Sequence, residues 1–278
     1  MEVGWHETED ARWTVARRAA TPALRPYLLV APEGWEQTGL QTSLREVPFP
    51  GVPLILNLGQ PWQIEDPGSP PERRDSFVAG MHAAPSLVHS AAAAWTCIEL
   101  RLTPLAAHRV LGLPMHELAN RTVELEDVLP PAGELGARLR ETPSWGERFD
   151  LVEAFLVRCL ADSMPPSPGV EWSWQRLRLT GGRASIGALA AELGWSHRRL
   201  IARFREQIGL APKTAARVLR FDRAVAALRA TAEPGLAEIA FDCGYFDQAH
   251  LNRDFRELAG ATPTAFLGSQ LDSGGIAV

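Results

Sequence analysis

Lysine is almost missing from this chain: Lys213 stands alone among 28 basic residues, so nearly all the positive charge is guanidinium. Cysteine is scarce as well. Cys97, Cys159 and Cys243 are odd in number and share no paired spacing, which excludes a disulfide framework or a Cys-rich zinc site and suits buried thiols in a reducing cytoplasm. No run of eighteen apolar residues occurs, which argues against a membrane helix, and the acidic, Trp-containing start does not read as a signal peptide. A Gly-rich phosphate loop, a Gly-x-Ser-x-Gly elbow and carboxylates at catalytic spacing are all lacking. The expectation is a cytoplasmic protein that is not an enzyme, with no catalytic residue, no cofactor, no metal and no membrane partner.

What the chain does have is a repeat. The stretch "GYFDQAHLNRDFRELAGATP" (residues 244–263) echoes "GWSHRRLIARFREQIGLAP" (residues 194–212). With Leu200 placed over Leu251, Phe204 falls on Phe255, Arg205 on Arg256, Glu206 on Glu257, Gly209 on Gly260 and Pro212 on Pro263. The preceding glycines, Gly194 and Gly244, show that the second turn carries one extra residue. Upstream, Ile186, Leu189, Ala190 and Leu193 recur as Leu236, Ile239, Ala240 and Cys243, the i, i+3, i+4, i+7 stripe of an amphipathic helix. Ser196 and Asp247 are good N-caps for the second helix of each copy, and Pro212 and Pro263 can open the helix that follows. Each copy therefore predicts helix, Gly turn, helix.

Between the copies, Val218, Phe221, Val225 and Leu228 mark one more amphipathic helix. Some 16 residues would give a rod of roughly 24 Å. With half a unit at each end, it can hold two recognition helices about 34 Å apart, one turn of DNA. Charge points the same way. Residues 176–267 hold 14 Lys and Arg against 9 Asp and Glu, whereas residues 1–175 hold 14 against 23, within a chain of net charge −5. A basic module inside an acidic chain is what phosphate contact requires.

Residues 183–267 resemble the DNA-binding domain of AraC/XylS-type transcription regulators. Ala190, Gly194, Ser196, Leu200, Phe204 and residues 209–212 carry the likeness in the first unit. Arg220 and Ala224 carry it in the joining helix, and Ile239, Ala240, Gly244, Tyr245, Leu251, Phe255 and residues 260–263 in the second unit. Leu251 departs from the aromatic that many relatives have there. The resemblance implies a sequence-specific regulator of transcription whose partner is double-stranded promoter or operator DNA. It leaves room for RNA polymerase, a small-molecule effector and a homodimer as further partners.

Helix geometry selects the candidate contacts. With Leu200 and Phe204 inward, Arg198 and Arg205 face outward with Arg199 on the flank; with Leu251 and Phe255 inward, Arg253 and Arg256 do, with His250 on the flank. A recognition helix reads bases with its N-terminal half. Arg198, Arg199, Gln248, His250 and Arg253 are therefore assigned to bases or groove, and Arg205 and Arg256 to phosphate. Ser196, His197, Asp247 and Asn252 complete the expected DNA-binding set.

The remaining 165 or so residues differ in kind. Short runs "VPLILNL", "SFVAG", "SLVHS" and "WTCIELRL", bordered by Pro and Gly, read as strands, and amphipathic helices follow them through residue 163. Three prolines in "SMPPSPGVEW" suggest a break. The expected class is α+β. A β-rich, cupin-like sensory or dimerisation domain with a helical appendix spans 1–165, and a linker spans 166–175. An all-α DNA-binding domain of two helix-turn-helix units spans 176–268, and 269–278 form a loose tail. A cupin-like metal enzyme with a DNA-binding appendage is the alternative. It lacks the His-x-His and Glu that such enzymes use, since His82 and His89 stand apart. Trp62 and Trp95 flank the strands as candidate walls of a pocket for an uncharged or weakly polar effector.

Overall fold

The computed structural model describes residues 1–7, 12–39, 41, 43–90, 92–230, 235–268 and the backbone of 276–277. Ten strands come first: β1 (Glu2–Glu7), β2 (Arg12–Arg17), β3 (Glu33–Thr38), β4 (Ser43–Glu46), β5 (Val52–Asn57), β6 (Trp62–Glu65), β7 (Glu72–Arg74), β8 (Phe77–Ala79), β9 (Ser86–Ser90) and β10 (Ala94–Leu102). The four expected strands are β5, β8, β9 and β10. With β11 (Thr122–Glu124) and β12 (Ile276–Ala277) they form two antiparallel sheets, ordered β1-β2-β3-β10-β5-β8-β11 and β12-β4-β9-β6-β7. β10 is the middle strand of the larger sheet and is covered on both faces: Trp95 and Cys97 are buried on one, Ile98, Leu100 and Leu102 on the other, while Arg101 and Glu99 are only partly covered. The tail was expected to be loose, but its residues 276–277 pair with Arg45 and Leu44 of β4.

Helices α1 (Pro104–Leu111), α2 (Leu125–Val128), α3 (Ala132–Glu141) and α4 (Trp145–Ala161) form the appendix. Next comes α5 (Pro168–Leu179), a helix where the linker 166–175 was expected. Pro168 lies in its first turn, where a missing N–H costs nothing, and Val170, Ser173, Trp174 and Leu177 are buried. The first repeat supplies α6 (Ile186–Glu192) and α7 (His197–Ile208), the joining helix is α8 (Pro212–Arg229), and the second repeat supplies α9 (Leu236–Asp242) and α10 (Gln248–Ala259), followed by α11 (Pro263–Gly268).

The cores do not divide where the sequence changes composition. One continuous cluster runs from Leu54, Ile98 and Leu100 of the sheet through Phe149 and Leu156 of α4 to Leu200, Phe204 and Ile208 of α7. α7 packs on α1 and on the 3₁₀ turn Met115–Glu117. At Gly209 (φ 102°), a Cβ would lie 3.1 Å from the Met115 carbonyl oxygen, so the chain can leave α7 this close to the N-terminal body only as glycine. The second unit has its own cluster, built from Ile239, Ala240, Leu251, Phe255, Leu258 and Phe266. α8 contributes to both: Ala215, Ala216, Val218 and Leu219 to the large cluster, Phe221, Ala224, Val225 and Leu228 to the small one. At 18 residues it is roughly 27 Å long.

Candidate nucleic-acid interface and ligand cavity

Each recognition helix begins on a capped turn. Gly194 (φ 62°) and Gly244 (φ 83°) take the left-handed conformation that reverses the chain after α6 and α9. Ser196 Oγ then accepts from the Arg199 backbone N–H (3.2 Å), and Asp247 Oδ1 accepts from that of His250 (2.7 Å). These two side chains are thus engaged in capping their own helices. The caps also locate the extra residue: Trp195 alone lies between Gly194 and Ser196, whereas Tyr245 and Phe246 lie between Gly244 and Asp247. Tyr245 is buried. Phe246 is 92% exposed, a large apolar side chain standing in solvent at the start of the second recognition helix.

Leu200, Phe204, Leu251 and Phe255 are fully buried, which fixes the rotation of both helices. His197, Arg198, Arg199 and Arg205 of α7 are exposed, as are Gln248, Arg253 and Arg256 of α10. The Arg199 guanidinium lies over the Trp195 ring at 4.7 Å, which pre-orients it. His250 and Asn252 are only partly exposed. The His250 ring meets Tyr245 edge to face at 5.1 Å, and Asn252 Oδ1 is shielded from solvent without a hydrogen-bond partner among the described residues. α10 is fastened to α8 by Arg217, whose Nε donates to Asp254 at 2.7 Å while its other nitrogen reaches Glu257. Sequence reasoning passed over two features here. One is Phe246, whose position between two caps was readable only once the caps were known. The other is a cleft of about 310 Å³ between the units, where Arg183, Lys213 and Arg220 add three cations.

The N-terminal body holds a cavity of about 240 Å³ between its two sheets. Trp35, Trp62, Trp95 and Phe77 wall it, and Trp62 meets Trp95 edge to face at 5.0 Å. Asp222, Val225 and Arg229 of α8 also line it, so the helix joining the two units closes the cavity of the other domain. Glu46, Glu99 and Arg101 are the other charged groups on that side. Arg101 Nε donates to Glu99 Oε1 at 2.6 Å. Glu46 faces the open space of the cavity and remains exposed to solvent there. The protein around it, with Glu99 adding to the effect and Arg101 opposing, pushes its carboxyl up to about 7. Burial also raises Asp222, against the pull of Arg229 and Arg101. His82 is a buried structural residue: its ring nitrogens lie 2.7 Å from the Gly80 carbonyl oxygen and 3.1 Å from Asp66 Oδ1. His89 meets Ser43 Oγ at 2.9 Å. No group of three potential metal ligands converges among the described residues. Nor is any helix among them long and apolar enough to cross a membrane.

Residues 189–269 match the family model of a helix-turn-helix domain. No curated protein matches the chain. Among solved structures, it resembles unsaturated-fatty-acid-bound ToxT from Vibrio cholerae at 10% identity, over 94% of this chain and 96% of that one, with a TM-score of 0.48. The C-terminal domain of AraT, a response regulator from Geobacillus stearothermophilus, is similar at 21% identity over 38% and 88% of the two chains, with a TM-score of 0.35. The AraC-like transcriptional activator CuxR is similar at 15% over 83% and 87%, with a TM-score of 0.32.

Proposed function

Starting from a chain that carries a helix-turn-helix domain of AraC type at residues 189–269, we propose that it is a cytoplasmic, ligand-responsive regulator of transcription that binds duplex DNA through α7 and α10. The observation that supports this most is the double use of α8. Its N-terminal half packs in the core that holds α7, its C-terminal half in the core that holds α10, and residues 222, 225 and 229 of that second half also wall the cavity. A molecule entering the cavity touches the element that sets the spacing and angle of the two recognition helices. Arg198, Arg199, Gln248, His250 and Arg253 are the proposed groove contacts, with His197 and Asn252 beside them. Arg205 and Arg256 lie deeper on the phosphates, and Ser196 and Asp247 act through the helix ends they cap.

Selection of bound sequences from a random duplex library, followed by footprinting of the full chain, tests the reading. Protection of two major-groove segments about one helical turn apart, ~34 Å, is expected. A single contiguous segment, or no selected sequence, would refute it. Linkage supplies the second half of the test: a ligand that tightens DNA binding must itself be bound more tightly, by the same factor, when the selected duplex is present.

A further inference from the structure

The charges around the cavity specify what it binds, an inference that rests on the ligand-responsive reading. Five groups face its α8 side: Glu46 on β4, Glu99 and Arg101 on β10, Asp222 and Arg229 on α8. Deeper in, His82 is occupied by Asp66 and Gly80. Arg101 holds Glu99 at 2.6 Å, and it also repels Arg229. Neither Asp222 nor Glu46 makes a hydrogen bond or ion pair among the described residues. Asp222 feels the pull of both Arg229 and Arg101, whereas Glu46 has only that of Arg101, already engaged by Glu99. Three carboxylates stand against two guanidiniums, so the ionised cavity carries one uncompensated negative charge.

Each class of ligand meets this charge differently. An anion would have to draw Arg101 away from Glu99, or Arg229 from the pull of Asp222, and then lie beside a third carboxylate, Glu46. A neutral apolar molecule would displace water from Glu46 and give it no partner, which is costly in an enclosed site. A cation would supply the missing partner, and the surrounding indole faces, the negative sides of their quadrupoles, favour it further. The volume, about 240 Å³, lies below the range of ~300–1,000 Å³ usual for drug-sized ligands, so the molecule is small. We infer that the cavity binds a small monovalent organic cation with an aromatic or compact apolar body, its charge beside Glu46 and its body against Trp35, Trp62 and Trp95.

Because the Glu46 carboxyl titrates near 7 in the empty cavity, a permanently charged ligand must displace its proton. Affinity for such a ligand therefore rises with pH, on the order of tenfold between pH 6 and pH 8.

Calorimetric titration of the full chain with three probes decides the matter: benzyltrimethylammonium, its uncharged isostere neopentylbenzene, and phenylbutyrate as the anion. The ammonium probe should bind at least tenfold more tightly than the isostere and tighten with pH as above. Glu46→Gln should remove both effects while the isostere binds at least as tightly as to the parent chain, which also reports that the variant cavity is folded. Tighter binding of phenylbutyrate or of the isostere, or an unaltered ammonium affinity in Glu46→Gln, overturns the cation assignment and leaves the ligand-responsive reading standing. Failure of all three probes to bind, with DNA binding intact, overturns the assignment together with that reading.

Discussion

Replacing Phe255 by Ala should unfold the second helix-turn-helix unit and little else. The ring is fully enclosed, with Phe221 of α8 at 4.8 Å between centroids and Phe266 of α11 at 5.6 Å. Truncating a buried Phe costs ~3–5 kcal/mol through lost transfer energy and the cavity left behind. That compares with ~5–15 kcal/mol for a whole domain, and the small cluster around Phe255 is only part of one. At ~1.4 kcal/mol per decade, a loss near 4 kcal/mol raises the opened population of this unit roughly a thousandfold. Hydrogen exchange resolved by segment is the assay, since it separates local from global opening. Protection should collapse in α9, α10, α11 and the C-terminal half of α8, while β5, β10, α4 and α7 keep theirs. Phe204→Ala provides the contrast. Phe204 meets Trp174 edge to face at 6.1 Å within the cluster that continues into the sheet, so its loss should lower protection across the N-terminal body and α7 together. Uniform loss in Phe255→Ala, or protected α9 to α11, would refute the division into two cores.

Arg205→Ala and Arg256→Ala should weaken binding to all duplexes alike and reduce the log–log salt slope by about one each. Arg198→Ala and Arg253→Ala should instead relax preference at one or two base pairs, by roughly 1–3 kcal/mol of discrimination in competition assays; exchanged phenotypes would mean that the helix faces are misassigned. Phe246→Ala should weaken DNA binding roughly fourfold, about one buried methyl, and abolish the effect of replacing one thymine by deoxyuridine in the selected site, whereas independent losses would show that the ring meets no thymine methyl. Glu46 makes stability fall with pH: its carboxyl titrates near 7 in the folded chain against 4.5 in the unfolded one, so the folded state holds the extra proton between these values. The contribution is full below pH ~4.5 and is lost as pH rises through ~7, and denaturant midpoints of Glu46→Gln should lack that decline.

Much of the DNA-binding module was legible before any coordinates. Its signals are local: a 3.6-residue apolar stripe, a glycine at each reversal, a capping side chain three residues before the N–H it satisfies. Ser196, Gly194, Leu200 and Phe204 and their counterparts Asp247, Gly244, Leu251 and Phe255 fall where that periodicity puts them. The N-terminal strands were legible where apolar residues are dense between Pro, Gly or Ser borders, most clearly in β5 and β10. Edge strands such as β1, every residue of which is exposed, carry no hydrophobic alternation, because nothing packs on them to require it.

The sequence by itself determined the repeat, the basic module and the inward faces of both recognition helices, because each depends on residues within a few turns of one another. Tertiary structure alone decided the rest. Composition placed the domain break at the prolines near 166, whereas burial carries one core across it into α7 and leaves the second unit on its own cluster. Glu46, the neighbouring Glu99 and Arg101, and Asp222 come from three distant parts of the chain, and no local spacing marks them as one group. They line one cavity only when β4, β10 and α8 converge, since only that convergence brings their charges close enough to act on one another.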